Sequence, residues 1–261
     1  MAAAEEAKPM NTGAREWDAE TYDAVSDPQF SWGMEVLERL ELGGEEAVLD
    51  AGCGSGRVSE QLLNRLSPGS LLAVDGSEAM IAKARERLGD RASYMVADLS
   101  ELEVESPVDL VFSTATFHWI PDHDRLFARV RAALRPGGRL VAQCGGEGNV
   151  AEHVKVIATV AAQPRFAEHL GEMEGLWNFA SAEETERRLH RAGFDAARCW
   201  LEPKPVQPEN PLAFTSTVTL GPVLAQLPEG LRTAFAEAVL AESDSPLVLD
   251  YVRLNIEAVA A

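Results

Sequence analysis

Ala47-Val48-Leu49-Asp50-Ala51-Gly52-Cys53-Gly54-Ser55-Gly56-Arg57 is a short apolar run that ends in a carboxylate and passes into three alternate glycines. The run has the length and composition of a buried strand, and Val58 to Leu66 after it have helical spacing. Glycines at every second position let the backbone turn tightly with positive φ and leave no Cβ between the chain and a bound molecule. The stretch therefore reads as strand, ligand loop and helix. Such a unit could open a dinucleotide site, whose fingerprint is G-x-G-x-x-G. From Gly52 and Gly54 that fingerprint needs a glycine at 57, where the chain has Arg57, and the third glycine comes one residue early, at Gly56. The acid two residues before Gly52 is also foreign to it. A nicotinamide-dependent reductase is set aside on this count.

Outward from the loop, β and α signals alternate. Helix 57–66 stops at Ser67-Pro68-Gly69, strand 70–74 ends at Asp75-Gly76, and Ser77 caps a helix to residue 88. Strands follow near 92–97, at 108–113 and at 139–144, with a helix over 122–134 before Arg135-Pro136-Gly137-Gly138. Five β segments joined by short helices predict parallel strands with right-handed crossovers. Farther on, 149–162 reads as a helix, Ser181 caps a helix over 182–192 that Gly193 ends, 194–203 and 247–259 read as strands, and 209–226 and 229–242 as helices. Upstream, Phe30 to Leu42 is an amphipathic helix, Glu16 to Asp23 a short one, and residues 1–14 a disordered lead. The expected fold is α/β: a doubly wound, mostly parallel, Rossmann-like seven-stranded sheet with helices on both faces and a helical cap. It is a single domain overall. The core lies over 15–145, and 146–261 complete the sheet and supply cap insertions at about 146–180 and 209–242.

With 261 residues, 46% of them hydrophobic, the chain can fill one large core. Its 23 basic and 42 acidic residues give a net charge of −19. Such a surface repels phosphate backbones and anionic lipid, which argues against nucleic acid and membrane as partners. Cys53, Cys144 and Cys199 are too few and scattered for a disulfide framework or a Cys-x-x-Cys metal site, and fit a reducing cytoplasm. Met1 to Met10 lacks a signal peptide's basic start and apolar stretch, and no run of 18 apolar residues occurs. The five histidines have no His-x-x-x-His spacing, so no metal is expected.

Asp-x-Gly-x-Gly-x-Gly, from Asp50 to Gly56, resembles motif I of the class I S-adenosylmethionine methyltransferases, and four positions must agree at fixed offsets for the match. The resemblance implies S-adenosyl-L-methionine as cofactor and S-adenosyl-L-homocysteine as product. It implies that Asp50 orients the loop Ala51-Gly52-Cys53-Gly54 and meets the methionine ammonium directly or through water. It gives Asp75, followed by Gly76, the ribose diol, with one carboxylate oxygen per hydroxyl. Asp98, between Ala97 and Leu99, would accept from the adenine amine. Met80 would flank the adenine or pack in the core. Tyr22, on the N-terminal element, would fold over the methionine end. Ser113 and Thr114 close the fourth strand on the cofactor side.

The run Thr116-Phe117-His118-Trp119-Ile120-Pro121 faces the transferred methyl in such a sheet, where aromatic faces and oxygen lone pairs favour an electron-poor centre. It resembles the loop of trans-aconitate and juvenile hormone acid methyltransferases, which act on a small molecule's carboxylate. Phe117, His118, Trp119 and Trp177 are the expected substrate contacts. For His118 three roles stay open: positioning, general base, or packing. A carboxylate is already ionised at neutral pH and needs no base. The expected enzyme is a monomer or homodimer transferring methyl by direct displacement to an oxygen of an organic acid or secondary metabolite. N- or C-methylation, and SAM binding without catalysis, are the alternatives. Cations for a polyanionic acceptor are few: Lys155, Arg165 and Arg57.

Overall fold

The structure, a computed structural model, describes residues 27–170 and 175–261. The expectations for the N-terminal lead, the helix near Trp17 and the role of Tyr22 lie outside the described residues. Seven strands form one sheet: β1 (Ala47–Ala51), β2 (Ser70–Asp75), β3 (Ser93–Val96), β4 (Val108–Thr114), β5 (Leu134–Gly145), β6 (Phe194–Pro203) and β7 (Val252–Ala260). Their order is β3-β2-β1-β4-β5-β7-β6. The first five pair in parallel, and β7 runs antiparallel to both β5 and β6. The strand order reverses direction beside β1 and β4, where ligands bind in sheets of this type.

Alternation along the strands assigns the two faces. Val48, Leu110, Phe112 and Val141 pack with Leu37 of α1 (Asp27–Glu38), Leu62 of α2 (Arg57–Leu63) and Leu88 of α3 (Glu78–Leu88). Leu49, Val111, Leu140 and Ile256 pack on the other side with Phe127 of α4 (His123–Ala133) and Leu189 of the helix Ala182–Ala192. A third apolar cluster, with Ile157, Phe166, Leu220 and Phe235, holds the cap together. The cap comprises α5 (Ala151–Ala161), α6 (Pro164–Ala167), α8 (Pro211–Phe214), a π turn over Thr215–Thr219, α9 (Gly221–Gln226) and α10 (Glu229–Glu242); Ala182–Ala192 is α7.

Several boundaries differ from the sequence reading. The helix expected over 30–42 starts earlier and ends at Glu38, and that over 57–66 ends at Leu63. The strand expected over 139–144 begins at Leu134, because the Arg135–Gly138 turn is taken into the ladder with a register shift between Val108 and Leu110. Residues 209–226 are broken by the π turn. The last strand starts at Val252, since Leu249 makes only an isolated bridge to Val206.

Candidate functional site

The loop after β1 is fixed from two sides. Gly52 and Cys53 both donate their N–H to the Val74 carbonyl, at 2.8 and 2.9 Å. Gly52 has φ +83°, and a Cβ on it would lie 2.6 Å from the Thr116 Cβ and overlap the hydroxyl and methyl of that side chain. Only glycine fits between this turn and the loop after β4. Among the described residues a Cβ on Gly54 would meet nothing within 4 Å, which leaves space over the loop.

Asp75 closes the loop from the end of β2. One carboxylate oxygen accepts the Gly54 N–H and the other the Ser77 N–H, each at 2.9 Å. Ala97 donates its N–H to the Asp75 carbonyl at 3.0 Å, which sets the end of β3 beside it. Asp98 is exposed, and its Oδ1 accepts from the Ser100 N–H and hydroxyl at 2.8 Å each. Met80 and Leu99 are buried, 3% and 4% exposed. These residues meet along the carboxyl edge of β1–β3, as the sequence spacing implies.

Two of the expected cofactor residues also tie the loop to its supports. Asp50 is 2% exposed and its Oδ2 accepts from the Ser59 hydroxyl at 2.6 Å, so it ties α2 to the strand end from beneath the loop. Burial pushes its carboxyl up to about 7, against the pull of Ser59 and with a further push from Asp75. Asp50 therefore supports the glycine loop from beneath, one of the roles expected of it. The Ser113 hydroxyl donates to the Ala51 carbonyl at 2.6 Å and is likewise a buried tie between β4 and β1.

Beyond β4 a cavity opens, with an empty volume of about 530 Å³ that includes its mouth. His118, Trp119, Trp177 and Phe179 form an aromatic wall: Trp177 stacks on Phe179 at 6.0 Å and 7°, and His118 on Phe179 at 5.8 Å and 25°. Asn178 pins this segment to the loop by donating its backbone N–H to the His118 carbonyl at 2.9 Å and its side-chain amide to the Pro121 carbonyl at 2.8 Å. His118 Nδ1 accepts the Gly145 N–H at 3.3 Å. Burial first, then Arg253 and His123, hold the imidazole's pKa well below its ordinary value. It is therefore neutral, and the lone pair a base would use is engaged. Phe117 corrects the sequence reading: the 3-10 turn Phe117–Trp119 sends it into the core against Phe127, at 6.0 Å, away from the cavity.

Gln29 of α1, Asn149 before α5, His153, Thr219, Tyr251 before β7 and Arg253 complete the lining, residues the sequence did not single out. Arg253 is 2% exposed and its guanidinium lies 4.7 Å from the Trp32 ring centroid. Lys155, Arg165 and Arg57 do not line the cavity. Lys155 pairs with Glu152 at 2.6 Å, Arg165 lies over Phe166 at 4.3 Å, and Arg57 pairs with Asp27 at 2.8 Å and lies over Phe30. A basic residue inside an apolar strand was the available signal for Arg253. Among the described residues no group of three His, Cys, Asp or Glu could hold a metal, and no helix is long and apolar enough to cross a membrane.

The methyltransferase domain family matches residues 48–138, the segment that holds the glycine loop, Asp75, Asp98 and His118. A trans-aconitate 2-methyltransferase of Methylobacterium nodulans is 33% identical over 186 residues, 71% of this chain and 67% of that protein. The chain belongs to the class I S-adenosylmethionine-dependent methyltransferases. A trans-aconitate 2-methyltransferase of Variovorax paradoxus is 34% identical over 162 residues, 62% of each chain, so the match spans less than two thirds of that methyltransferase. Among solved structures, Haemonchus contortus phosphoethanolamine N-methyltransferase 2 in complex with S-adenosyl-L-methionine has a TM-score of 0.58 at 21% identity. The likeness covers 93% of this methyltransferase and 56% of that one, and is one of fold.

Proposed function

We propose that the protein transfers the methyl group of S-adenosyl-L-methionine to a carboxylate oxygen of a small organic acid, giving a methyl ester. The observation that carries the reading is the cavity at the end of β4. Aromatic and aliphatic side chains make up about half of its walls, its histidines are held below their ordinary pKa by burial, and Arg253 is the cation among its described lining residues. An acid acceptor needs no base, and His118 is poorly suited to be one. It does need an opposite charge once it leaves water, which a buried guanidinium supplies. The bound cofactor supplies an electrophilic methyl on a sulfonium; the chain holds the nucleophile in line and excludes water. Ala51 to Gly54 with Gly56, Asp75-Gly76, Met80, Ala97 to Leu99 and Thr114 are the proposed cofactor edge, with Asp75 on the ribose and Asp98 on the adenine. Two relatives are named for trans-aconitate, an acid. One cation suits a monocarboxylate with an apolar body better than a tricarboxylate.

The test is transfer from labelled S-adenosyl-L-methionine to panels of carboxylic acids, amines and phenols. Base-labile methyl esters are the expected products. Transfer confined to amines or phenols, or cofactor binding with no transfer to any panel member, would reject the reading.

A further inference from the structure

His153 lies on the face of α5 that also presents Val150, Val154 and Ile157 to the cavity. Its Nε2 is 3.0 Å from the Thr219 hydroxyl oxygen, and that hydroxyl donates to the Thr215 carbonyl at 3.2 Å. A threonine hydroxyl has one proton. With that proton on the carbonyl, the hydrogen-bond network assigns the imidazole proton to Nε2, which donates to Thr219. Burial lowers the ring's pKa to about 4, opposed by Asp250, so the ring is neutral at pH 7. Nδ1 is then a bare lone pair. It is buried and has no hydrogen-bond partner, and the side chain as a whole is 4% exposed. Gln29 Oε1, on another residue lining the same cavity, is a second buried acceptor with no partner. Buried polar atoms are nearly always paired, so two orphan acceptors in one ligand cavity are two places for a ligand's donor.

A carboxylate has no proton to give to either atom. An ammonium would bring a second cation into the cavity with Arg253. A hydroxyl fits both constraints. We propose that the acceptor is a hydroxylated monocarboxylate, its carboxylate taken by Arg253 and its hydroxyl donating to His153 Nδ1, with Gln29 Oε1 as a further acceptor. This rests on the carboxylate reading above. His153 is a specificity-determining residue in it: a site that pairs with a substrate hydroxyl leaves its own acceptor stranded when the deoxy analogue binds.

The test uses the full chain, labelled S-adenosyl-L-methionine and three matched pairs: phenyllactate with 3-phenylpropionate, 3-hydroxyoctanoate with octanoate, and 4-hydroxyphenylacetate with phenylacetate. In at least one pair the hydroxylated acid is expected to have the higher kcat/KM by roughly tenfold or more. In His153→Leu the ratio should fall to about threefold or less, chiefly through KM, and His153→Gln, which keeps an acceptor, should restore part of it. Calorimetric titration with S-adenosyl-L-homocysteine verifies that each variant is folded, and Gln29→Leu provides a second, independently placed variant. A wild-type ratio near one in every pair, with the acids still methylated, overturns the inference and leaves the carboxylate reading standing. A ratio that survives His153→Leu and Gln29→Leu overturns it as well. Transfer to amines or phenols with no acid methylated removes both.

Discussion

Replacing Asp50 by asparagine changes one heavy atom of a side chain that is 2% exposed, and it should stabilise the fold increasingly as pH rises. The unfolded chain releases this proton near 3.8 and the folded chain at about 7, because burial opposes the charged form. Between those values the folded state binds more protons, so stability falls as pH rises, by about 1.4 kcal/mol per pH unit. The whole interval costs about 4 kcal/mol, absent below pH 3.8 and complete above pH 7. About 2 kcal/mol of it develops between pH 5.5 and 8. The asparagine has no proton to lose, and its amide oxygen can still accept from the Ser59 hydroxyl. Urea unfolding of the cofactor-free protein at pH 5.5, 6.5, 7.5 and 8 should therefore show Asp50→Asn gaining on the wild type by about 2 kcal/mol across the series. Parallel profiles, or a variant that loses ground as pH rises, would refute the buried-carboxylate argument. In the proposed cofactor site the same variant should bind S-adenosyl-L-methionine more weakly, since the negative charge that destabilises the fold attracts a cationic ligand.

Gly52→Ala meets both a positive φ and the Thr116 side chain and should cost about 2–4 kcal/mol in urea unfolding, of which Thr116→Gly in the same chain relieves the overlap and leaves the φ strain. Asp75→Ala leaves the Gly54 and Ser77 N–H groups without their carboxylate, and calorimetry should find S-adenosyl-L-methionine bound at least about tenfold more weakly; unchanged affinity would remove Asp75 from the ribose. Arg253→Met should raise KM for a carboxylic acid by about 30-fold or more while the affinity for S-adenosyl-L-homocysteine holds, and an unaltered KM would show that the acid sits elsewhere.

Legibility in the sequence followed the range of the interaction that decides each feature. Helix α7 and strand β6 match their expected limits because the stops are local: the Ser181 hydroxyl accepts the Glu184 N–H at 3.2 Å, and Gly193 takes φ +95°. The glycine loop was readable for the same reason. The π turn at Thr215–Thr219 carries no comparable punctuation, and the apolar residues before Val252 resemble strand although they pair only at Leu249. In the site, Trp119 and Trp177 reach the cavity as expected, whereas Phe117, two residues from Trp119, turns into the core. His153 had no local signature, and Arg253 only that of a basic residue in an apolar run. His153 gains its meaning from Thr219, and Arg253 from pairing opposite Gly145, contacts that span 66 and 108 positions of chain.

The reversed direction of β7 separates two inheritances within one chain. Because it runs against its neighbours, its beginning meets the ligand edge where the parallel strands end, and Arg253 arrives beside Gly145. The proposed cofactor edge is drawn from residues before β5, whereas the polar lining of the cavity comes largely from the cap and the start of β7. If the cavity takes the acceptor as proposed, acceptor choice can drift by substitution in the C-terminal half without disturbing the glycine loop. A chimera joined near the end of β5 would exchange the cap and the β7 part of the lining while keeping the glycine loop, His118 and Trp119.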